Sequence, residues 1–480
     1  MQPAQERYLA SGKFLDSKGD ALKPLGHFVS PFEAENCSAS FLSANFMNKI
    51  VAQEVILNAR LGLFHYKLLV ITTLAVAFAG NNLLSYSVAL PILIHDWGLT
   101  TLQAGLLGSY ALVGMMIGDF SFGYISRVLG SKNTIAFCLF VLGVASLIQG
   151  TVTGYEEFAA LRVLSGLAIG GLMPSIISTM SEYSPRKQKN VLTAIMVSGY
   201  SFGGIVASVI GLSLSEKYGW RVLFYAGGAQ LLIIPFVLSI VPADINSLIH
   251  SGDLDAVNTL LKNANGEYKP DINSVVISRH QKHDQHSALE LFSQRRRFAT
   301  LIFWIIFFGC LFVAYSIINW LPKIMLTRGF AVDSSILFFV MLNVGAIIGG
   351  VLGGILGDKF STDKVLTLFF VVCAFCLVLI SQVESKGALY ILVIALGGTT
   401  IGAQTLVYIL IAHNHAAPLR STAIAYASGV GRIGAISGPV VGGILIGGYL
   451  TVGAYLVLIS ICTLLAALAT TLVPKPEAEH

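Results

Sequence analysis

The chain has 480 residues, of which 55% are apolar and only 11% are charged. Soluble domains carry roughly 25% charged residues, and the mean hydropathy here is +0.76. This composition excludes an ordinary soluble protein and indicates a membrane protein. The net charge of +5 requires no nucleic acid partner, because the basic residues follow the membrane topology described below.

The first 65 residues are polar and contain no long apolar run. Their start lacks a basic segment followed by an apolar core, so no secretory signal peptide is expected. We interpret residues 1–65 as a cytoplasmic N-terminal extension.

Twelve apolar segments follow, each long enough to cross a bilayer as a helix. They lie near residues 68–93, 103–125, 133–152, 157–180, 191–213, 222–241, 299–320, 335–356, 365–382, 388–411, 421–447 and 451–473. A hydrophilic insert separates the first six from the last six, which is typical of transporters built from two repeats. The sequence therefore predicts an all-α membrane protein with twelve transmembrane helices in two pseudo-symmetric halves. The predicted boundaries are 66–241 and 299–473 for the halves, 242–298 for a cytoplasmic linker and 474–480 for a cytoplasmic tail.

Lys and Arg residues in the loops predict the orientation, because basic loops stay in the cytoplasm. A cytoplasmic N-terminus places fifteen of these residues in inside loops and five in outside loops. Without the long linker the ratio is still eight to five. Both termini are therefore expected on the cytoplasmic side of the inner membrane.

The linker contains one pattern of apolar residues at helical spacing, which predicts a short amphipathic helix between Asp253 and Lys262. His280, His283 and His286 follow it without a firm fourth ligand, so we interpret them as part of a solvated linker and expect no metal.

Two glycine-led charged segments each lie between apolar spans, about 230 residues apart. One runs from Gly354 to Lys364 and the other from Gly123 to Lys132. Both are predicted to form tight turns between antiparallel membrane helices. The candidate gate-loop residues in these segments are Gly123, Arg127, Gly354, Asp358 and Lys359.

Three ionisable residues lie within the predicted spans, where each is costly and therefore a functional hypothesis. Asp119 is a candidate proton carrier, or a tether to the Arg127 end of its helix or to a neighbouring span. Arg162 is a candidate for coupling, or a snorkelling tether near the end of its span. Arg432 lies deeper and is a candidate for a polar cavity.

Neutral polar and aromatic residues accompany these charges in both halves. Any one of them can instead serve as a helix–helix contact or an interface anchor. As a set they suit a small carboxylate, because a guanidinium binds a carboxylate bidentately. The candidate substrate-binding residues are Asn81, Asn82, Tyr315, Asn343, Gln404, Tyr408 and Arg432.

Several motifs resemble the major facilitator superfamily, and within it the aromatic acid:proton and metabolite:proton symporters. The motifs are the glycine-led Asp358-Lys359 segment, Gly171-Leu-Met-Pro174, Ser181-Glu-Tyr-Ser-Pro185, Tyr218-Gly-Trp-Arg221, Asn319-Trp-Leu-Pro322, Asn343-Val-Gly345 and Gly429-Val-Gly-Arg432.

The chain departs from that family at three places. The family's Asp-Gly-aromatic-Asp element in span one is Ala79-Gly-Asn-Asn82 here, so both acids are absent. In the first-half turn the family's Asp falls on Arg127, and in the second-half turn Ser361 replaces a glycine. Either Asp119 has taken over the missing charge, or the protein is a facilitator without coupling.

The resemblance implies a secondary transporter that moves a small organic anion across the cytoplasmic membrane by alternating access. The coupling ion would be a proton or another ion, and the protein would work in the lipid bilayer as a monomer, without a cofactor. No ATP-binding loop is present, which favours an ion gradient as the driving force. The alternatives are an exporter of amphipathic compounds and a non-transporting receptor on the same fold. The spans contain no clustered His, Cys or paired carboxylates, so an enzyme is not expected.

Overall fold

The computed structural model describes residues 48–251, 253–268, 274–277, 291–293, 297–415 and 417–474. Most of the predicted N-terminal extension, the three linker histidines and the C-terminal tail lie outside these residues. Within them are twelve helices that are long and apolar enough to cross a membrane. The predicted fold class, an all-α bundle of twelve spans, is confirmed.

Six helices precede the linker and six follow it. The first six are α1 Leu63–Trp97, α2 Thr101–Leu129, α3 Ser131–Gln149, α4 Tyr155–Glu182, α5 Lys189–Tyr218 and α6 Arg221–Ile240. The last six are α7 Arg297–Thr327, α8 Val332–Lys359, α9 Thr362–Gln382, α10 Lys386–Asn414, α11 Ala417–Ile444 and α12 Val452–Thr471. We call the end of the bundle where α1 begins the terminal face, and the end where α1 leads into α2 the far face.

In the first half α2 packs on α4, and in the second half α8 packs on α10 in the same way. At each contact a glycine lies directly against the backbone of the partner helix, where a Cβ would overlap a carbonyl oxygen. The glycines and the residues they meet are Gly114 with Val163, Gly166 with Ala111, Gly345 with Ile394 and Gly397 with Leu342. Each second-half residue lies 231 positions after its first-half counterpart. Small residues of this kind allow the close helix approach that membrane bundles need.

The pairing of α1 with α5 is repeated in the same way by α7 with α11. The contacts are Gly199 with Thr73, Gly203 with Ala77, Gly434 with Phe308 and Gly438 with Phe312. Here the second-half residues lie 235 positions after the first-half ones. The halves are therefore structural repeats, as the fold prediction required.

The halves meet mainly toward the far face. Gly105 of α2 packs on the backbone of Pro439 in α11, and the Ser109 hydroxyl donates a hydrogen bond to the carbonyl of Ile436 at 2.6 Å. A continuous apolar core at this end includes Trp220 from the first half and Trp320 from the second. This end of the bundle is therefore closed.

Both predicted turns are confirmed within their segments, but the helices extend further into those segments than predicted. α8 continues through Gly354 and Asp358 to Lys359, so only Phe360 and Ser361 connect it to α9. These predicted gate residues are helical because the helix keeps its backbone hydrogen bonds beyond the apolar span.

The same is true of the first half, where Gly123 and Arg127 lie within α2. The chain reverses at Gly130, whose φ of +76° is a conformation that glycine adopts without strain.

In the described part of the chain, three short α-helices lie outside the twelve, at Ala52–Leu57, Ile245–Ser251 and Leu254–Ala264. The last confirms the predicted linker helix: the Asp253 side chain caps it by accepting from the amide of Ala256 at 3.0 Å. Its apolar face is buried, although Leu254 itself is exposed. Separately, strands β1 Asn48–Val51 and β2 Ser274–Ile277 pair into a two-stranded sheet.

Candidate functional site

A cavity of about 200 Å³ lies between the two halves. Helices α1, α2 and α4 of the first half and α7 of the second contribute its walls. The lining residues are Leu83, Ser87, Gly108, Leu112, Arg162, Tyr315, Ile318 and Asn319. The cavity is therefore apolar over most of its wall, with one cation and a few neutral polar groups.

Arg162 is the charged group of this cavity, and among the described residues no acidic side chain forms an ion pair with it. It is 1% exposed, and its guanidinium lies over the Tyr86 ring, 4.7 Å from the ring centroid. Nε donates a long hydrogen bond of 3.4 Å to the carbonyl of Leu107, and Nη1 is buried without a hydrogen-bond partner. A buried charge is costly unless it is paired. This arrangement is therefore suited to bind an anion.

Asp119 and Arg432 form an ion pair across the two halves. Nη2 of Arg432 on α11 lies 2.8 Å from Oδ2 of Asp119 on α2. The side chains are 19% and 26% exposed, respectively. The Tyr315 hydroxyl is close enough to interact electrostatically with both groups. Arg432, a predicted substrate contact, is thus already neutralised by the predicted proton carrier, although its Nε is buried without a partner.

The two asparagines of span one are directed into the first half, and neither lines the cavity. Nδ2 of Asn82 donates to the Ser146 hydroxyl at 3.0 Å, and Ser146 donates to the carbonyl of Phe224 at 2.9 Å. Asn81 is buried toward Gly227 of α6, and its amide atoms have no partner. These residues connect α1 with α3 and α6.

The second-half candidates are spread over several helix contacts. Asn343 donates to the carbonyl of Phe339 in its own helix at 2.9 Å and packs on Gly204 of α5. The ring of Tyr408 packs edge-on against Phe307, with centroids 4.9 Å apart. Gln404 is partly buried on α10. Of the seven predicted substrate residues, Tyr315 is the one that lines the cavity.

Sequence reasoning did not select Ser87, Gly108 or Asn319 for the site. Each helix offers the cavity one stripe of residues four positions apart, such as Leu83 with Ser87 and Tyr315 with Asn319. That spacing is the signal of a common helix face. It does not reveal which face is turned to the cavity.

The structure describes few side-chain contacts of the predicted gate residues. The side chains of Arg127 and Asp358 lie outside the described part of the structure, and so does the environment of Gly123. The Nζ atom of Lys359 lies 5.7 Å from the centroid of the neighbouring Phe360 ring. No Cβ contact would arise at Gly354, so packing does not require a glycine there.

Comparison with known proteins adds an independent line of evidence. Residues 70–416 and 343–480 match the profile of the Major Facilitator Superfamily. The benzoate transport protein of Acinetobacter baylyi is 33% identical over 405 residues, which cover 83% of this chain and 87% of the relative. The gentisate transporter of Corynebacterium glutamicum is 29% identical over 410 residues, covering 84% and 86%. The crystal structure of a D-xylose–proton symporter superposes with a TM-score of 0.67 at 17% identity, covering 86% of this chain and 98% of the symporter.

Proposed function

The chain belongs to the Major Facilitator Superfamily of membrane transporters, and we propose that it carries a one-ring aromatic carboxylate by alternating access, coupled to protons. The observation that carries this proposal is Arg162, a buried guanidinium with a free N–H on the wall of a cavity between the repeats. A carboxylate placed there would neutralise the charge and satisfy the donor.

The rest of the cavity suits the body of such an anion. Leu83, Leu112 and Ile318 offer apolar surface to a ring, while Ser87 and Asn319 can bond to a ring hydroxyl.

The named relatives support the same class of substrate. Benzoate and gentisate are both carboxylates on a single aromatic ring, and each of these relatives aligns with more than four fifths of this chain. The relatives and the cavity both favour an anion with one ring.

The proposed setting is the cytoplasmic membrane, with both termini in the cytoplasm and the monomer as the working unit. The excess of Lys and Arg in the loops of the terminal face supports this orientation. With that orientation, the closed far face separates the cavity from the outside, and release would occur toward the cytoplasm.

The test is uptake of labelled benzoate and gentisate into proteoliposomes, with xylose as a neutral comparison, for wild type, Arg162→Gln and Arg162→Lys. Losing a charged hydrogen bond costs about 1.5–3 kcal/mol, so Arg162→Gln should raise KM for a carboxylate about 10- to 150-fold. Arg162→Lys should lie between, because it keeps the charge but loses the planar fork.

Arg221→Gln is the matched control, because Arg221 also stacks on an aromatic ring, 4.7 Å from the centroid of Trp220, but lies at the start of α6 outside the cavity. Its KM should equal that of wild type. An unchanged KM in Arg162→Gln, or no flux of any carboxylate, would refute the proposal.

A further inference from the structure

The two seams between the halves, α2 with α11 and α5 with α8, are related by the repeat but differ in charge. The repeat offsets place Gly350 of α8 at the position of Asp119, and Val197 of α5 at the position of Arg432. The α5–α8 seam is built from contacts such as Gly204 with Asn343 and therefore packs without this ion pair. The ion pair is thus not a requirement of the seam geometry.

The position of the ion pair along α2 also separates it from the packed part of its seam. Gly105 and Ser109 make the close contacts to α11 near the far face. Asp119 lies ten residues beyond Ser109 toward the terminal face, a rise of about 15 Å. The ion pair and the neighbouring approach of Phe120 to Gly429 lie on the terminal-face side of those close contacts.

We infer that Asp119 is the proton-binding group of the transport cycle, and that the Asp119–Arg432 ion pair is a latch that holds α2 to α11. When Asp119 is ionised the latch is closed. When a proton taken up from the outside together with the anion adds to a carboxylate oxygen of Asp119, the ionic attraction is lost, the two helices can separate, and the proton can then leave to water at the terminal face. No covalent bond other than the new O–H is formed or broken.

The charges of the site explain how this latch would couple proton and anion. With Asp119 ionised, its charge cancels that of Arg432, and Arg162 alone attracts the anion. Protonation leaves Arg432 without its counter-ion, so the site holds two uncompensated cations until an anion binds. Two like charges in a membrane interior are costly, so proton and anion binding favour each other.

Among the described groups around the latch, Asp119 is the carboxylate, and therefore the group that can take up a proton. Tyr315 of α7 interacts electrostatically with both partners, and Tyr200 of α5 and Tyr408 of α10 interact with Arg432. Tyrosine hydroxyls and guanidinium groups keep their protons at neutral pH. From α4, Gly170 presents only backbone to Asp119.

The first arm of the test measures transport and rests on the proposed function. Proteoliposomes are assayed for benzoate accumulation under an inward proton gradient and for exchange of external labelled against internal unlabelled benzoate. Asp119→Asn should exchange within about twofold of wild type, yet its accumulation ratio should fall to 1. The matched control is Asp333→Asn, an exposed acid in the first turn of α8, which should accumulate like wild type. Gradient-driven accumulation by Asp119→Asn would overturn the inference.

The second arm needs no substrate. Spin labels replace Tyr124 on α2 and Tyr426 on α11, both exposed and both on the terminal-face side of the ion pair, in a background without native cysteines. In wild type the distance between the labels should be longer at pH 5 than at pH 8. In Asp119→Asn it should be long at both values, while Asp333→Asn should respond like wild type.

The two arms separate failure of the latch from failure of the proposed function. A pH response that is absent in wild type, or retained in Asp119→Asn, would overturn the latch. A pH response that depends on Asp119, together with no carboxylate flux, would support the latch and refute the proposed substrate.

Discussion

In the first half Gly166 packs on Ala111, and in the second half Gly397 packs on Leu342, 231 positions later in both cases. The same offset places a buried Val393 where the first half has Arg162. The glycine contacts have therefore been kept in both halves, whereas the charge occurs in one. This difference separates residues that build the bundle from residues that give the site its chemistry.

The other polar groups follow the same rule. Asp119 and Arg432 have Gly350 and Val197 as counterparts, and Asn82 has Ile317. A charge within the membrane is costly, so a second copy would add cost without a second substrate to bind. The two repeated halves thus differ in their chemistry at a few side chains.

The strongest test of this comparison is to disturb both copies of one packing contact. Gly166→Val and Gly397→Val should each reduce the free energy of unfolding by about 3 kcal/mol, because overpacking forces the helices apart. The two losses should be similar, and melting of the purified protein in detergent measures them.

Gly354→Val is the control, since nothing lies within 4 Å of a Cβ at that glycine. It should change the free energy of unfolding by less than about 1 kcal/mol, because Gly and Val differ only slightly in helix propensity. A large loss at Gly166 with none at Gly397 would show that the halves do not share this role.

A second test copies the latch into the other seam. Gly350→Asp combined with Val197→Arg should add an ion pair between α8 and α5, where a Cβ at Gly350 meets only Ile401 at 3.9 Å. A partly exposed pair contributes up to about 1 kcal/mol, so turnover of benzoate exchange should slow about fivefold.

The neutral combination Gly350→Asn with Val197→Gln has nearly the same shape and should exchange at close to the wild-type rate. If the charged and neutral variants exchanged equally fast, separation of α5 from α8 would not limit the cycle.

The smallest effect is expected for Asn82→Ile, which gives the first half the type of residue that the second half has at the corresponding position. Asn82→Ile loses the hydrogen bond to Ser146 but also removes a buried oxygen that has no partner. These contributions oppose each other, so stability should change by only about 0.5 kcal/mol. KM for benzoate uptake should stay within twofold of wild type. A tenfold rise in the measured KM would indicate that Asn82 contacts the substrate.

Much of the architecture could be predicted from the sequence. The twelve spans and the division into six and six follow from hydropathy, because the bilayer imposes the same length and apolarity on every crossing. The helix in the linker was also predicted, since its apolar spacing and its Asp253 cap are local features. The same reasoning made the two turns too long, because the helices continue beyond the apolar spans that hydropathy detects.

The sequence by itself determined the fold class and the family, and it selected three charges in the spans as functional candidates, because the cost of a charge in lipid does not depend on which helices surround it. Only the tertiary structure decided how those charges are used. It turned Asn82 toward Ser146, left Arg162 unpaired at the cavity and joined Asp119 to Arg432 across the halves. The rotation of each helix about its axis is set by the neighbours against which its glycines pack, and those neighbours are distant in the chain.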